Sequence, residues 1–435
     1  MKVLVVGGGG REHALCWALH RELAPGNLFA APGNPGTAAL ATNLPIGAGD
    51  PGHLVDAVQQ YDIDLVVIGP EAPLAEGLAD RIRAAGRLAF GPSAAGARIE
   101  ASKAFAKEVM AKAGVPTAAS RSFTELDLAL AWIDRQELPL VIKASGLAAG
   151  KGAVVCLTRN DAHRAATAML RDGQFGEAGR TVVAEAFLEG EELSVLAVVG
   201  GNEILLLPAA QDHKRLGEGD HGPNTGGMGA YSPVSIATRE LLTRVEKQII
   251  QPTLDELARR SIPYQGVLYA GLMVAPSGAP SVIEFNCRLG DPETQAILPR
   301  IRSGLLECLR AAAAGEALPR LEVLTAAAVT TVIAAAGYPE DPRRGDVIEI
   351  PEVLPPGVLV FHGGTQSDQH GVLRTNGGRV LSVTGLGATF GEARQASVAA
   401  AEAISFAGKQ FRRDIGWREE DRRAGGNPAA GNRAG

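Results

Sequence analysis

The chain has 435 residues, 46% of them hydrophobic and 21% charged, with a formal net charge of −6. That acidic balance argues against a general nucleic-acid binder, whose surface would be basic, and leaves small anionic substrates open because local Lys and Arg clusters decide those. No apolar run reaches the roughly 18 residues that a membrane span requires, so no membrane partner is expected.

At about 100–200 residues per domain, the length implies roughly two to four domains. Cys16, Cys156, Cys287 and Cys308 are scattered without CxxC spacing. This argues against a disulfide framework or zinc site and points to a reducing cytoplasm. Met1–Val6, one lysine followed by apolar residues and then glycines, reads as a strand rather than a secretory signal.

Strand and helix patterns alternate through residues 1–102. Val3–Val6 predicts a buried strand, and Arg11 to Arg21 a helix with Leu15 and Leu19 inward. Leu28–Ala31 and Leu65–Ile68 read as further strands, and Leu74–Ala85 as a helix. Such alternation implies a parallel sheet with crossover helices. Ser102–Gly114 predicts a helix capped by Ser102 and ended by Gly114. Beyond Pro116, strands are expected at Leu140–Lys143, Ala153–Leu157, Thr181–Ala184, Leu193–Val199, Ile204–Ala209, Val267–Val274 and Ser281–Phe285. After Leu318 the character changes again. Ala326–Ala335 reads as a strand, Gly378–Val383 as one arm of a hairpin, and Ala393–Phe406 as an alanine-rich helix. The expectation is an α/β and α+β multidomain chain: a parallel-sheet domain at 1–102, a hairpin-rich domain at 103–325, and a small α+β domain at 326–421. Residues 422–435, mostly Gly, Asn, Ala and Arg without periodicity, are expected to form a disordered tail.

Four segments carry chemistry. Gly7-Gly-Gly-Gly10-Arg-Glu-His13 follows a strand and opens a helix, where backbone amides and the helix dipole can hold a phosphate. It fits a dinucleotide fingerprint only in part. Glu12 stands where the third glycine would be, and the second strand ends in Ala31-Pro32 without an acidic residue. Two readings stay open: a tight turn, or a phosphate site for a small sugar phosphate, with Gly33-Asn34-Pro-Gly36 and Gly69-Pro-Glu71 converging on the same sheet edge. The second segment, Ser145–Gly152, joins two strands with three glycines and Lys151. Such a loop can fold over a triphosphate, with Lys103 and Lys143 nearby to neutralise it. It is not a Walker A loop, because no GxxxxGK[ST] precedes a helix.

In the third segment, Glu284 and Asn286 lie two apart on a strand and so on one face. A carboxylate and an amide oxygen suit Mg²⁺, which takes hard oxygen ligands and bridges phosphates. Arg288, Gly290, Asp291 and Glu293 follow directly. The fourth runs from Gln211-Asp-His-Lys-Arg215 to Gly222-Pro-Asn-Thr-Gly-Gly-Met-Gly-Ala-Tyr-Ser-Pro233 and has neither helical nor strand period. A long irregular stretch inside a compact domain is usually a functional loop. Asp212, Lys214, Arg215 and Asn224 favour one that handles anions.

Taken together, Lys103, Lys143, the Gly146–Gly152 loop, Glu185-Ala-Phe-Leu188, Glu191-Glu192 and Glu284-Phe-Asn286 resemble the ATP-grasp superfamily. Within it, Gly7–Ala14, Gln211–Arg215, Gly222–Tyr231, Glu284–Glu293, Phe361–Thr365 and Asp414–Trp417 resemble the phosphoribosylamine–glycine ligase (glycinamide ribonucleotide synthetase) family, up to about residue 418. The resemblance implies a pre-ATP-grasp domain, an ATP-grasp core with a lid at about 117–188, and a small C-terminal domain. It implies that ATP phosphorylates glycine and that the amine of 5-phosphoribosylamine attacks the acyl phosphate. Glu185, Ala186, Phe187 and Leu188 would form the hinge whose backbone reads adenine, and Glu192 would hold the ribose. Lys103, Lys143, Arg215 and Asn224 would meet ATP. Glu284 and Asn286 would bind Mg²⁺, with Mn²⁺ as a substitute. Asp212, Arg288 and Gly290 are the candidates for glycine and the reacting amine. Gly9, Gly10, Arg11, Glu12 and Asn34 would take the sugar phosphate. Lys143, Asp212 and Arg288 are the catalytic candidates, and the chain is expected as a monomer. Ser145 and Ala186 replace the Asp and Glu usual in the family. Val267–Val274 carries no carboxylate, leaving two protein metal ligands.

Three competing readings remain. Another ATP-grasp enzyme with a different acceptor is opposed by residues 211–231. An NAD-dependent oxidoreductase is opposed by Glu12. A degenerate nucleotide-binding module is opposed by the presence of Lys143, Glu284 and Asn286.

Overall fold

The computed structural model describes residues 1–148, 151–201 and 203–425. Of the tail expected to be disordered at 422–435, Arg422 and Arg423 instead end the helix Trp417–Arg423, and residues 426–435 lie outside the described residues.

Val3–Gly7 and Leu65–Ile68 are apolar throughout, as strands covered on both faces require, and every residue in them is buried. Successive residues point to opposite faces, so Leu4 and Val6 enter one core while Val3 and Val5 enter another. They sit in a five-stranded parallel sheet ordered Thr42–Asn43, Leu28–Pro32, Val3–Gly7, Leu65–Ile68, Leu88–Phe90. The turns after Gly7, Pro32 and Ile68 therefore gather at one edge. The helix expected over Leu74–Ala85 is two helices, Glu71–Ala75 and Leu78–Ala84. Gly77, at φ 82°, takes the left-handed conformation that separates them.

Helix Lys103–Ala113 starts as its sequence predicts: Ser102 Oγ accepts from Phe105 N, and Gly114 closes the end at φ 67°. Beyond it, an antiparallel sheet is ordered Ser120–Phe123, Val182–Ala186, Leu140–Ala144, Ala153–Cys156. Helices Leu126–Ile133 and Arg159–Leu170 cover it, and it has its own core around Ile142, Ala166 and Met169. A second antiparallel sheet, ordered Glu203–Leu206, Glu191–Gly200, Gly266–Val274, Pro280–Asn286, lies opposite.

The boundary expected near residue 325 divides the chain but not the sheets. A five-stranded antiparallel sheet is ordered Gln211–Asp212, Gly229–Ser232, Ala327–Ala334, Arg379–Gly387, Val358–His362. Two strands from the middle of the chain thus complete the sheet of its last third. The expected hairpin arm at Gly378–Val383 is in fact an interior strand, Arg379–Gly387, paired on both sides. Helix Phe390–Ala403 packs on this sheet and begins ahead of the expected Ala393, because Thr389 and Glu392 form a capping box.

Candidate active site

One cavity of about 580 Å³ opens between the two antiparallel sheets and reaches the edge of the parallel one. It collects Arg11, Lys103, Lys143, Glu185, Ala186, Phe187, Leu188, Glu192, Asp212, Asn224, Glu284, Asn286 and Arg288 of the sequence candidates. Its size suits a nucleotide-sized ligand.

The cationic wall comes from the helix and the lid sheet. Lys103 and Lys107 stand one helical turn apart on Lys103–Ala113, and Lys143 stands on the lid strand Leu140–Ala144. Glu185 lies buried between Lys107, at 2.5 Å, and Lys143. Its side chain therefore fixes two lysines. Phe187 N–H donates to Pro139 O at 3.4 Å, while Leu188 N–H has no hydrogen bond among the described residues. Ser145 joins lid to helix: Lys103 N and Ala104 N donate to its carbonyl and hydroxyl oxygens at 2.8 and 3.0 Å. The rest of the glycine loop at 149 and 150 lies outside the described residues.

Opposite stand Glu284 and Asn286. Among the described residues the Glu284 carboxylate has no ion pair or hydrogen bond. Burial raises its pKa, but the charges of Lys143, Lys103, Lys214 and Arg288 outweigh that and hold it below the usual carboxylate range. An ionised, unpaired, half-buried carboxylate with a buried amide oxygen beside it fits a hard divalent cation. Arg288 is braced by Glu100 at 2.9 Å and Glu71 at 3.2 Å, and its Nη2 donates to Asn286 Oδ1 at 3.3 Å.

The stretch 211–228 supplies the third wall. Lys214 Nζ donates to Glu192 and, at 3.2 Å, to Asp212 Oδ1. Desolvation pushes the Asp212 carboxyl up to about 7, opposed by Lys214 and reinforced by Glu293 and Glu192. Next to it Tyr269 OH donates to Glu293 Oε1 at 2.5 Å and pairs with Ser194 Oγ at 2.7 Å.

The N-terminal turn differs from its expected use. Glu12 accepts from Gly9 N at 2.7 Å and from Arg11 Nε at 2.7 Å. A Cβ on Gly7 would lie 2.6 Å from Glu12 Cγ, and one on Gly69 2.1 Å from Glu12 Oε1. The turn thus encloses its own carboxylate, which leaves the dinucleotide reading without its close helix–strand approach. Asn34, expected at the sugar phosphate, is spent internally: Nδ2 donates to Gly8 O and His362 O, and Oδ1 accepts from Gly36 N and Thr37 N. Gly9, Gly10, Glu12, Asn34 and Gly290 frame the cavity without lining it. Arg215 also falls outside: its Nη1 donates to Gly222 O at 2.8 Å on the exposed side of the hairpin.

Several lining residues were missed in the sequence: Lys107, Glu100, Tyr269 and Arg379. The spacing Lys103–Lys107 on one helix face was a usable signal. Arg379, whose Nη1 donates to Gly226 O and Asp291 O at 2.5 and 2.7 Å, gave none, since it reaches the cavity from the last third of the chain.

Two facing antiparallel sheets with lysines on one wall and an acidic strand on the other define an ATP-grasp ligase. Family descriptions match in series: phosphoribosylglycinamide synthetase N domain over residues 1–100, ATP-grasp (A) domain over 101–294, and C domain over 328–418. The chain is 47% identical over 426 residues to the phosphoribosylamine–glycine ligase of Escherichia coli (strain K12), covering 97% of this chain and 99% of that one. It is 46% identical over 422 residues to that of Yersinia pestis, covering 96% and 99%. The crystal structure of the Thermotoga maritima phosphoribosylamine–glycine ligase superposes with a TM-score of 0.84 at 35% identity, covering 95% of this chain and all of that one. The biotin carboxylase domain of Hydrogenobacter thermophilus 2-oxoglutarate carboxylase, in complex with MgADP, shares the fold at TM-score 0.74 and 17% identity, covering 100% and 99%. The chain belongs to the phosphoribosylglycinamide synthetase family.

Proposed function

We propose that this cavity carries the chain's ligase chemistry, the ATP-driven joining of glycine to 5-phosphoribosylamine through glycyl phosphate, with roles divided as follows. The backbone at Phe187–Leu188 reads adenine and Glu192 holds the ribose. Lys103 and Lys143, kept in place by the lid hinge and by Glu185, neutralise the phosphates. Asn224 adds a polar contact. Phosphoryl transfer asks for positioned cations more than for a protein nucleophile, and this wall supplies them.

Glu284 and Asn286 would hold Mg²⁺, or Mn²⁺ in its place, and the ion would supply positive charge to neutralise the phosphates. A glycine carboxylate oxygen attacks the γ-phosphorus, and the bond to ADP breaks. Arg288, braced by Glu71 and Glu100, binds and orients that carboxylate. The amine nitrogen of 5-phosphoribosylamine then attacks the acyl carbon. Phosphate leaves, and Asp212 orients the amine and accepts its proton. A carboxyl titrating at about 7 is suited to that task. Arg11 and the helix N-terminus at Gly9–Gly10 face the sugar phosphate, with Glu12 and Asn34 as their supports rather than as contacts. The lid, about residues 117–188, excludes the water that would hydrolyse the acyl phosphate. We assign the units as 1–102, 103–325 and 326–421, and the active form as a cytoplasmic monomer that meets its three small-molecule substrates without nucleic acid or membrane.

The observation that carries this assignment is the unpaired Glu284 carboxylate facing Lys103 and Lys143 across one cavity. The test is ADP release by the purified protein with Mg-ATP, glycine and freshly generated 5-phosphoribosylamine, omitting each in turn. ADP formation that needs both glycine and the amine, with glycinamide ribonucleotide as product, is expected. Turnover with another acid but not glycine would overturn the substrate assignment.

A further inference from the structure

Residues 412–422 line none of the cavity, yet their polar side chains converge on the loop that does. Arg412 is fully buried. Its Nε and Nη2 donate to the two oxygens of Asp414, each at 2.7 Å, and its Nη1 donates to Arg215 O at 3.0 Å and Asp220 Oδ1 at 2.8 Å. Asp414 in turn accepts from Gly219 N at 2.8 Å. Gly416 N donates to His213 Nε2 at 2.8 Å, and burial keeps that ring neutral and so able to accept. Arg418 Nη2 donates to Asp220 Oδ2 at 2.5 Å.

One turn on, Arg422 donates to Glu191 Oε2 at 2.6 Å and to Tyr231 OH at 3.1 Å. Tyr231 OH donates to Gln211 Oε1, whose amide donates to Glu192 O at 2.5 Å. Three of the residues gripped are next in sequence to cavity residues. His213 lies between Asp212 and Lys214, Arg215 follows Lys214, and Glu191 precedes Glu192.

We infer that residues 412–422 are a positioning strap that sets the geometry of Glu192, Asp212 and Lys214, with Arg412 as its central positioning residue. A segment whose regular structure is one short hairpin, Arg215–Gly217 with His221–Asn224, has to be ordered against its backbone entropy by contacts from elsewhere. Buried, charge-assisted hydrogen bonds to fixed partners supply that order with geometric specificity. The strap therefore acts on nucleotide affinity from outside the site. This inference rests on the nucleotide-site assignment above.

The experiment uses the full chain carrying Arg412→Lys or Asp220→Asn. Arg412→Lys keeps the charge but cannot serve Asp414, Asp220 and Arg215 O together. Three quantities are measured: MgADP affinity by calorimetry, KM for Mg-ATP with kcat, and Tm. The expected result is a rise of about tenfold in the MgADP Kd and in the KM for Mg-ATP, the equivalent of one charge-assisted hydrogen bond. A purely structural part would instead lower Tm and the active fraction while leaving the Kd and KM of the folded protein at parental values, and that result overturns the inference. If Arg412→Lys does not fold, Asp220→Asn decides by the same readouts, since it keeps the Arg412–Asp414 pair. Lys143→Met separates the two assignments. Parental MgADP affinity there would remove the nucleotide site itself, whereas parental affinity in the strap variants alone removes only the strap.

Discussion

The N-terminal turn at residues 7–13 and the irregular stretch at 211–228 look alike in composition: both are glycine-rich, both carry charge, and both border the same cavity. They are built on opposite principles. The turn is self-contained. Glu12 caps its own helix and pairs with Arg11, and Gly7 and Gly69 are glycines because Glu12 occupies the space a Cβ would need. The irregular stretch closes on itself through a short hairpin and the Thr225–Lys214 bonds, but it is also gripped from outside. Its shape comes from the C-terminal third, through Arg412 and Gly416 on one side and Tyr338 OH, Arg379 and Pro292 around Gly226–Gly227 on the other. Glycine richness thus reports room for a neighbouring group, and whether that group is a ligand or the protein's own side chain is decided by tertiary contacts.

The comparison is broken most severely at Lys214. That ammonium is the link between the irregular stretch and both Glu192 and Asp212. Lys214→Met leaves the two carboxylates without their shared cation, with Glu293 as a further negative neighbour of Asp212. The expected loss in kcat/KM for Mg-ATP is about 10²–10³, the usual cost of removing one preorganised charged contact in a desolvated site. A change smaller than about threefold would mean that the stretch does not organise the nucleotide site.

How much of this was legible follows the same division. Val3–Val6, Leu65–Ile68 and the Ser102-capped helix announce themselves, because burial on both faces and a capping hydroxyl are local properties of the sequence. Glu284 and Asn286 were readable for a similar reason: period two on a strand fixes their shared face. Arg379 and the strap at 412–422 were not, since their partners lie far away in the chain. The sheet that crosses residue 325 was not readable for the same cause, because Gly229–Ser232 pairs with Ala327–Ala334 from the other side of it. Asn34 was misread because an amide in a loop looks the same whether its partner is a phosphate or its own backbone.

The self-contained turn is sharpened by a double-mutant cycle at Gly69 and Glu12. In Gly69→Ala the new methyl lands 2.1 Å from Glu12 Oε1, and a side chain bonded to Gly9 N and Arg11 Nε cannot step aside without losing those bonds. The expected destabilisation is about 1–3 kcal/mol by urea unfolding. Glu12→Ala opens the space, so the double variant should be more stable than the sum of the singles by at least about 1 kcal/mol. Additivity within about 0.5 kcal/mol would show that the glycine at position 69 answers to something other than Glu12.

The smallest effect is expected at Arg215, which the sequence placed on the phosphates. Its guanidinium bonds only Gly222 O among the described residues, on an exposed face of the hairpin Arg215–Gly217 and His221–Asn224. What the strap uses at this position is the carbonyl oxygen, which accepts from Arg412 Nη1 at 3.0 Å, and any residue supplies that. Arg215→Ala should therefore shift the KM for Mg-ATP by less than about threefold, in the range of an exposed contact. Lys214→Met, one position earlier, should be severe. If instead the two variants lose activity alike, the hairpin turns its Arg215 face toward the nucleotide during turnover. The division between a backbone-held frame and a side-chain-lined cavity would then have to be redrawn at this residue.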